Sequence, residues 1–233
     1  MDPGRIQNHK RNTRDIFDSI SKKYDISNFV LSLGLEKIWR RKFLKCIGPG
    51  QKKILDACCG TGTSTYYLWQ GGSRIVTGID FSRGMIEIAR KRYGNKEGIT
   101  FYAKDATNTG FKDDSFDCAA IAFGIRNILE RKKALSELQR IVKPSGSIVI
   151  LEFNHIEKGI MARLSGFYIN RIMPFMGGLL TNNRQAYDYL AKSIRQFPSP
   201  EGFMSLMKDS GWTDIEHLAL TGGICSIFTG RKE

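Results

Sequence analysis

Histidine and cysteine are scarce in this sequence, which has 3 histidines and 5 cysteines among 233 residues. The cysteines are odd in number and show neither Cys-x-x-Cys spacing nor histidine partners; they are Cys46, Cys58, Cys59, Cys118 and Cys225. Structural zinc sites and disulfide frameworks require such patterns. We therefore expect no metal, and we interpret these cysteines as small buried apolar side chains.

Long apolar runs are also missing. Residues 1–5 lack the apolar core of a signal peptide, and the uncharged run from Ile172 to Asn183 is interrupted by Pro174 and two glycines. A helix that spans a bilayer needs about 20 apolar residues. The sequence therefore predicts a cytoplasmic protein, in which any contact with a membrane would be peripheral.

The sequence contains no internal repeat and no low-complexity tract. Apolar residues make up 41% and charged residues 25% of the chain, which is typical of globular proteins. A chain of this length can bury the core of one α/β domain. We predict a helical cap over residues 1–48 and a main unit over residues 49–233, with an insertion at residues 155–197, all within a single domain.

Acidic residues are the minority charge, with 23 against 36 lysines and arginines, so the formal net charge is +13. Residues 1–50 hold 11 basic and 5 acidic side chains, whereas residues 151–233 are nearly balanced at 9 and 8. A positive field attracts the phosphates of RNA or anionic lipid headgroups. An ordinary solvated basic surface would look the same, so charge alone does not identify a partner.

Two apolar segments form the most informative pattern. Residues 53–57 predict a buried strand that breaks into the glycine turn Cys58–Gly62, and residues 75–80 predict a second strand that ends on Asp80. Such continuous apolar runs are typical of parallel strands, which need a crossover helix; residues 62–70 supply it. Gly60 and Gly62 let the backbone approach a ligand, and Asp80 can accept both hydroxyls of a ribose. The pattern predicts a nucleoside site.

The glycine turn differs from a dinucleotide-binding turn. The third glycine of Gly-x-Gly-x-x-Gly, whose helix receives a pyrophosphate, is replaced by Thr65. An oxygen-rich turn preceded by Asp56 suits S-adenosylmethionine, which has no phosphate and whose ammonium and sulfonium favour a nearby carboxylate. The turn therefore indicates methyl transfer rather than hydride transfer.

The remaining chain alternates between helical and strand patterns. We predict helices at residues 84–93 and 129–142, strands at residues 99–103, 115–122 and 147–153, and a tail of helix, strand and strand. This is a doubly wound, Rossmann-like α/β sheet of seven strands that ends in an antiparallel hairpin. Ligands of such sheets lie at the carboxyl ends of the strands, where the candidate positions are Gly60, Asp80, Asp105, Gly124 to Asn127 and Glu152.

Several segments resemble the UbiE/MenG/COQ5 family, the C-methyltransferases of ubiquinone and menaquinone biosynthesis. The similarity extends from about Arg14 to Lys232. The matching segments are 17–25, Asn28, 39–40, 55–62, 80–85, 115–117, 121–127, 143–144, 151–153, 186–190, 193–194, 197–198 and 220–225. The glycine turn is generic, whereas residues 123–127 and the segments at Tyr187 and Leu220 are specific to the family.

The resemblance implies a class I methyltransferase fold and S-adenosylmethionine as cofactor. Its cofactor positions carry over to Thr61, Asp80, Asp105 and Ala106, beside Asp56, Gly60 and Gly62 from the turn. On the substrate side it implies Tyr24, Asn28, Phe123 and Tyr187. The implied reaction methylates the ring of a demethylated polyprenyl quinol, either a naphthoquinol or a benzoquinol.

Three positions depart from the usual pattern of the family. Glu36 and Phe228 stand where histidine is frequent, and Ala191 stands where proline often follows Tyr-Leu. These differences concern the head group of the substrate more than the reaction.

Carbon methylation of a hydroquinone requires electron density on the ring, which a neighbouring phenolate supplies. Lowering a phenol pKa from roughly 10 to 7 takes about 4 kcal/mol. Our hypothesis is that Arg126 stabilises this phenolate and that Asn127 orients a hydroxyl or a water. The alternative is that Arg126 is a structural ion-pair partner of Glu152.

Other interpretations stay open at this stage. In one interpretation, the Met- and aromatic-rich insertion lines the route of a polyprenyl tail and rests on a membrane. In the other, the insertion is a packed lid or a homodimer contact. An RNA methyltransferase would explain the charge, but the Asn/Asp-Pro-Pro-aromatic signature is absent after the fourth strand, so we expect no nucleic acid partner. A non-catalytic adenosyl-binding module is the third class.

Overall fold

The computed structural model describes residues 2–21, 32–72, 75–154 and 184–233. Its helices are α1 (Pro3–Ile20), α2 (Leu35–Lys45), α3 (Thr63–Gln70), α4 (Arg83–Tyr93), α5 (Arg131–Ile141), α6 (Arg184–Arg195) and α7 (Pro200–Lys208). Its strands are β1 (Lys53–Ala57), β2 (Ile75–Asp80), β3 (Ile99–Ala103), β4 (Phe116–Ala122), β5 (Val142–Phe153), β6 (Thr213–Leu220) and β7 (Cys225–Arg231).

The strands form one sheet in the order β3-β2-β1-β4-β5-β7-β6. The pairs from β3 to β5 are parallel, and β7 runs antiparallel to both β5 and β6. The order reverses direction between β1 and β4, so the carboxyl ends of these two strands open a crevice. The predicted doubly wound sheet with a final antiparallel hairpin is confirmed.

Strand β5 is longer than the sequence pattern predicted. Helix α5 ends at Ile141, as Pro144 and Gly146 suggested. Strand β5 begins at the next residue, Val142, and includes both Pro144 and Gly146. Gly146 accepts a hydrogen bond from the N–H of Lys232, and Ser145 donates to the carbonyl of Lys232. The prediction of a strand beginning at Ser147 was wrong because pairing with the chain's last residues overrides the local turn signal.

Both faces of the sheet are covered, as parallel strands require. On one face, Leu55 and neighbouring strand residues pack against α5 and α7. On the other face, Ile54 packs with Trp39 and Phe43 of α2 and with Leu68 of α3. These two layers hold the strand ends in place, and with them the loops that follow each strand.

Helices α1 and α2 lie within residues 1–48, the segment for which we predicted a helical cap. Helix α1 starts at Pro3, with the Asp2 side chain accepting a hydrogen bond from the N–H of Gly4, and it contacts α4 and α6. Of the predicted insertion, residues 184–195 form α6, whereas residues 155–183 lie outside the described ranges. None of the helices in the described ranges has both the length and the apolar character needed to cross a bilayer.

Candidate functional site

A cavity of about 580 Å3, counting its open mouth, lies at the carboxyl ends of β1, β2, β3 and β4. The lining combines two carboxylates with apolar and aromatic side chains: Cys58, Gly60, Asp80, Phe81, Met85, Lys104, Asp105, Ala106, Phe123, Gly124, Asn127 and Ile128. The cavity therefore lies where the topology of the sheet predicts a ligand.

Asp80 ends β2 and is held by two backbone groups. Its Oδ2 accepts from the N–H of Gly60 at 3.0 Å, and its Oδ1 accepts from the N–H of Ser82 at 2.9 Å. Burial raises the pKa of Asp80 to about 6, although the hydrogen bonds from Ser82 and Gly60 partly offset it. Each oxygen keeps a second lone pair, so Asp80 can accept two ligand hydroxyls.

The glycine turn is shaped by packing as much as by ligand access. Gly62 has φ of +84°, and a Cβ there would lie 3.0 Å from both Ala89 and the Phe101 ring. Cys58 also has positive φ, at 59°, and lines the cavity. The turn thus brings the start of α3 against α4 and places the thiol of Cys58 at the cavity wall.

Asp56 is fully buried beneath this turn. The hydroxyl of Thr65 donates to its Oδ2 at 2.6 Å, and its Oδ1 has no hydrogen-bond partner in the described structure. Burial raises the pKa of Asp56 to about 7, although the hydrogen bond from Thr65 lowers it. Asp56, Thr61 and Gly62 are not among the residues that line the cavity.

Asp105 follows β3 and is joined to α1. Its Oδ2 accepts from Lys10 Nζ at 2.7 Å, and its Oδ1 accepts from the N–H and hydroxyl of Thr107, both at 2.8 Å. Burial works to raise the pKa of Asp105, but these hydrogen bonds outweigh it and hold the pKa below its usual value. Helix α1 therefore covers the side of the cavity formed by Asp105 and Ala106.

The loop after β4 supplies the opposite wall. Phe123 has φ of +61°, a strained conformation for a bulky residue, and is held by its N–H bond to Leu151 and by ring contacts with Trp39 and Phe153. A Cβ on Gly124 would overlap the Cys58 side chain. The close approach of these two residues sets the width of the cavity.

Asn127 lines the cavity and offers an unused acceptor. Its side-chain oxygen is buried and has no hydrogen-bond partner in the part of the chain that the structure describes. Such atoms are uncommon in native proteins and require a partner, which here would be a ligand hydroxyl or a water. The predicted orienting role of Asn127 is compatible with this placement.

Arg126 forms the ion pair that we considered as the alternative to a catalytic role. Its Nη1 lies 2.7 Å from Oε1 of Glu152, and its backbone N–H donates to Oε2 of Glu152 at 3.2 Å. Arg131 donates to the carbonyl of Arg126 at 2.9 Å, and burial lowers the pKa of Arg131. Arg126 is not among the residues that line the cavity, although its neighbour Asn127 is.

Tyr189 and His9 lie near this loop, outside the cavity lining. The hydroxyl of Tyr189 lies 3.3 Å from that of Thr13, and Nε2 of His9 lies 3.1 Å from the carbonyl oxygen of Asn127. Burial raises the pKa of Tyr189, while Thr13 and the positive charges of Arg126 and Arg131 lower it. Residues of α1 and α6 therefore meet beside the loop after β4.

The described residues fit a nucleoside ligand better than a metal. In the described ranges, no group of three histidine, cysteine or acidic side chains could hold a metal ion. By contrast, Asp80 presents free lone pairs to the cavity, and Asp105 and Ala106 form a second wall at the neighbouring strand end. This arrangement suits the sugar and the base of S-adenosylmethionine.

The structure brings together about half of the predicted site. The predicted site residues that line the cavity are Gly60, Asp80, Asp105, Ala106, Phe123 and Asn127. Tyr24 and Asn28 lie outside the described residues, as does the side chain of Tyr187. Sequence reasoning missed Cys58, Phe81 and Lys10; the run Asp2-Pro3, which is typical of a helix start, was a signal that a helix begins there and includes Lys10.

Comparison with known proteins gives a consistent result. A profile described as the ubiE/COQ5 methyltransferase family matches residues 5–232. The chain is 38% identical over 218 residues to a demethylmenaquinone methyltransferase of Clavibacter sepedonicus, covering 93% of this chain and 89% of that protein. It is also 38% identical to the ubiquinone/menaquinone biosynthesis C-methyltransferase UbiE of Bdellovibrio bacteriovorus, covering 97% and 99% of the two chains.

Solved structures share the fold. A SAM-dependent methyltransferase of Thermotoga maritima superposes with a TM-score of 0.67 at 22% identity, covering 94% of this chain and 99% of that one. Phosphoethanolamine N-methyltransferase 2 of Haemonchus contortus, in complex with S-adenosyl-L-methionine, gives 0.63 at 17% identity. This chain spans about half of that protein (83% of this chain, 52% of that one), and at such identities the likeness concerns the fold alone.

Proposed function

Because this chain belongs to the ubiE/COQ5 methyltransferase family, we propose that it methylates a ring carbon of a demethylated polyprenyl quinol. It is an S-adenosylmethionine-dependent C-methyltransferase of respiratory quinone biosynthesis. The substrate is demethylmenaquinol, the corresponding ubiquinone precursor, or both, as in the relatives that bear these names.

One observation carries the proposal: Asp80 and Asn127 line the same cavity, and each has unused acceptor capacity. Asp80 suits the ribose of the cofactor, and Asn127 suits a hydroxyl of the acceptor or a bound water. A site with acceptors on two walls can hold a donor and an acceptor molecule side by side, which is what direct methyl transfer requires.

When bound, S-adenosylmethionine supplies an electrophilic methyl group on a sulfonium. The chain's own residues hold and orient it: Asp80 accepts the ribose hydroxyls, while Asp105 and Ala106 border the base. Phe81 and Met85 give the same region an apolar lining. Asp56, Thr61 and Gly62 act indirectly, since they shape the turn from which Gly60 donates to Asp80.

The acceptor becomes nucleophilic when a ring hydroxyl loses its proton. Asn127 holds that hydroxyl, or the water that takes its proton, and the buried cations behind it stabilise the phenolate. Glu152 neutralises one of the two arginines, so the cluster of Arg126, Arg131 and Glu152 carries one net positive charge. In this arrangement Arg126 positions the loop and contributes to the field without touching the ring.

The polyprenyl tail must leave the cavity on the side of the acceptor. Tyr24, Asn28 and Tyr187 remain proposed substrate-side residues, and Phe123 provides an apolar wall there. A tail of this kind dissolves in a bilayer, so the enzyme makes peripheral contact with a membrane. The predicted homodimer stays a prediction.

The test is methyl transfer from tritium-labelled S-adenosylmethionine to reduced demethylmenaquinone, to the demethylated benzoquinol, or to total RNA. We expect label in a quinol, and mass spectrometry should place the added methyl on a ring carbon. Asp80→Asn should abolish transfer by weakening cofactor binding, and Asn127→Ala should lower turnover with cofactor affinity retained. Label in RNA alone, or cofactor binding without transfer to either quinol, would contradict the proposal.

A further inference from the structure

Helix α2 has one buried face and one strongly basic face. Trp39, Arg40 and Phe43 are buried against the sheet. The exposed residues of the helix are Lys37, Ile38, Arg41, Lys42 and Lys45. At 3.6 residues per turn these five side chains fall within an arc of about 140°. The helix therefore presents four cations and one isoleucine together.

Apolar side chains accompany these cations at the surface. Ile38 is 49% exposed, and Leu33, in the turn that leads into the helix, is 73% exposed. Leu218 of β6 is 48% exposed and pairs with Ile227, which belongs to the core on the α2 side of the sheet. Among the described residues, Arg41, Lys42 and Lys45 have no recorded ion pair. A basic helix face with exposed aliphatic side chains is typical of helices that lie on anionic membranes.

The opposite face of the same helix reaches the active site. The ring of Trp39 lies 6.2 Å from that of Phe123 and 5.7 Å from that of Phe153, and the Arg40 guanidinium lies 5.4 Å from the Phe123 ring. Phe123 lines the cavity. A single helix thus separates the basic surface from the site at which the acceptor ring is bound.

We infer that this face, consisting of Leu33 and the exposed residues of α2, docks the enzyme on an anionic phospholipid bilayer. Its charge is complementary to anionic headgroups, and Leu33 and Ile38 can enter the boundary between headgroups and acyl chains. The stems of the lysines add apolar contact there while their ammonium groups stay in water. RNA phosphates would match the cations equally well but give no role to exposed Leu33 and Ile38.

The inference rests on the proposed function in one respect: a lipid-soluble quinol explains why the enzyme docks beside its cavity. Lipid binding itself can be measured without a quinol and without methyl transfer. Failure of the proposed reaction and failure of the docking surface are therefore separate outcomes.

The test is co-sedimentation of the full chain with vesicles of phosphatidylcholine, with or without phosphatidylglycerol. The wild-type protein should bind the anionic vesicles more tightly, with an affinity that falls as salt is added. Neutralising Lys37, Arg41 and Lys45 as glutamines should weaken binding about one hundredfold, because each surface cation contributes about fivefold. Leu33→Ser with Ile38→Ser should weaken it without changing the salt dependence.

A matched control lies at the end of α4 and in the turn that follows it, at the β3 end of the sheet. Lys91, Arg92 and Lys96 are exposed, and changing them to glutamine removes the same charge from a different surface. We expect this control to bind anionic vesicles within about threefold of wild type, since distant charges are screened beyond roughly 10 Å. Circular dichroism and S-adenosylmethionine titration establish that all variants are folded.

Several outcomes would overturn the inference. The first is that the wild-type protein binds neutral and anionic vesicles equally well. The second is that the α2 and α4 variants lose the same amount of vesicle binding. The third is that the α2 variant loses RNA binding but keeps vesicle binding. The α2 variant should methylate a short-chain water-soluble quinol at the wild-type rate but a vesicle-borne quinol more slowly. If it loses both activities equally, the face supports the active site rather than the membrane contact.

Discussion

The guanidinium and the backbone N–H of Arg126 both donate to the carboxylate of Glu152, at 2.7 and 3.2 Å. The two side chains are 4% and 0% exposed. Glu152 is the second-last residue of β5, whereas Arg126 lies in the loop after β4, so this contact joins the ends of neighbouring strands. The loop that carries Asn127 is therefore anchored by a buried ion pair.

We expect Arg126→Ala to destabilise the protein by about 3–5 kcal/mol, because it leaves Glu152 buried without its counter-ion. Adding Glu152→Gln should recover part of that loss, since the uncompensated charge is removed. Urea unfolding curves of the single and double variants measure both effects. If Arg126→Ala lowers the free energy of unfolding by less than about 1 kcal/mol, the ion pair does not contribute to stability. Turnover of this variant should be compared with its unfolding curve, so that loss of folding is not mistaken for loss of catalysis.

A second prediction concerns the pH dependence of stability. Burial raises the pKa of Asp56 from its ordinary value of 3.8 to about 7, so the folded state binds a proton more tightly than the unfolded chain does. This stabilisation is fully present at acid pH and is lost as pH rises from about 4 through 7. At pH 8 the Asp56→Asn variant, which carries no charge, should be more stable than wild type by a few kcal/mol.

The difference between wild type and Asp56→Asn isolates this group from the other titrating residues. We expect the two unfolding free energies to converge as pH falls from 8 to 4. The amide can still accept the hydrogen bond from Thr65, so that contact is retained. A constant difference across this range, or greater stability of wild type at pH 8, would contradict the assignment.

The width of the cavity gives a third prediction. Gly124→Ala places a Cβ into the Cys58 side chain, and such overpacking costs about 1–3 kcal/mol. The affinity for S-adenosylmethionine, measured by titration calorimetry, should fall by about tenfold as the two walls are pushed apart. Cys58→Gly should restore it in the double variant, because glycine removes the overlap and accepts the φ of +59°. If the double variant binds no better than Gly124→Ala, the contact does not set the width.

The ion pair between Lys10 and Asp105 gives a fourth prediction. Both side chains are more than one third exposed, so the pair is worth at most about 1 kcal/mol. Lys10→Met should therefore weaken S-adenosylmethionine binding by no more than about fivefold, through a looser α1, and the effect should shrink at high salt. Arg11→Met, a neighbouring exposed change, is the control and should leave binding unchanged.

The strands and the strand-end acceptors could be predicted because their signals are local. The sequence of residues 75–80 predicts both the strand and the carboxylate at its end, and in the structure Asp80 ends β2 and lines the cavity. Contacts between distant residues could not be predicted. Lys10 and Asp105 are 95 residues apart, and only the docking of α1 on the strand ends brings them together.

The departures from the family pattern become understandable in the structure. Glu36 pairs with Arg40 one turn away, at 3.6 Å, so it serves the buried face of α2. Phe228 is buried and stacks on His217, with ring centroids 5.0 Å apart. These roles depend on helix packing and strand pairing, which a single sequence does not reveal.

Asp80 is fixed by two N–H donors before any ligand arrives. A carboxylate that has already lost its rotational freedom adds little entropic cost when ribose hydroxyls replace water at its remaining lone pairs. One donor comes from the turn after β1 and the other from the start of α4, so the geometry of this carboxylate depends on both loops. In the proposed complex with the nucleoside, the backbone of the sheet therefore orients Asp80 before the sugar binds.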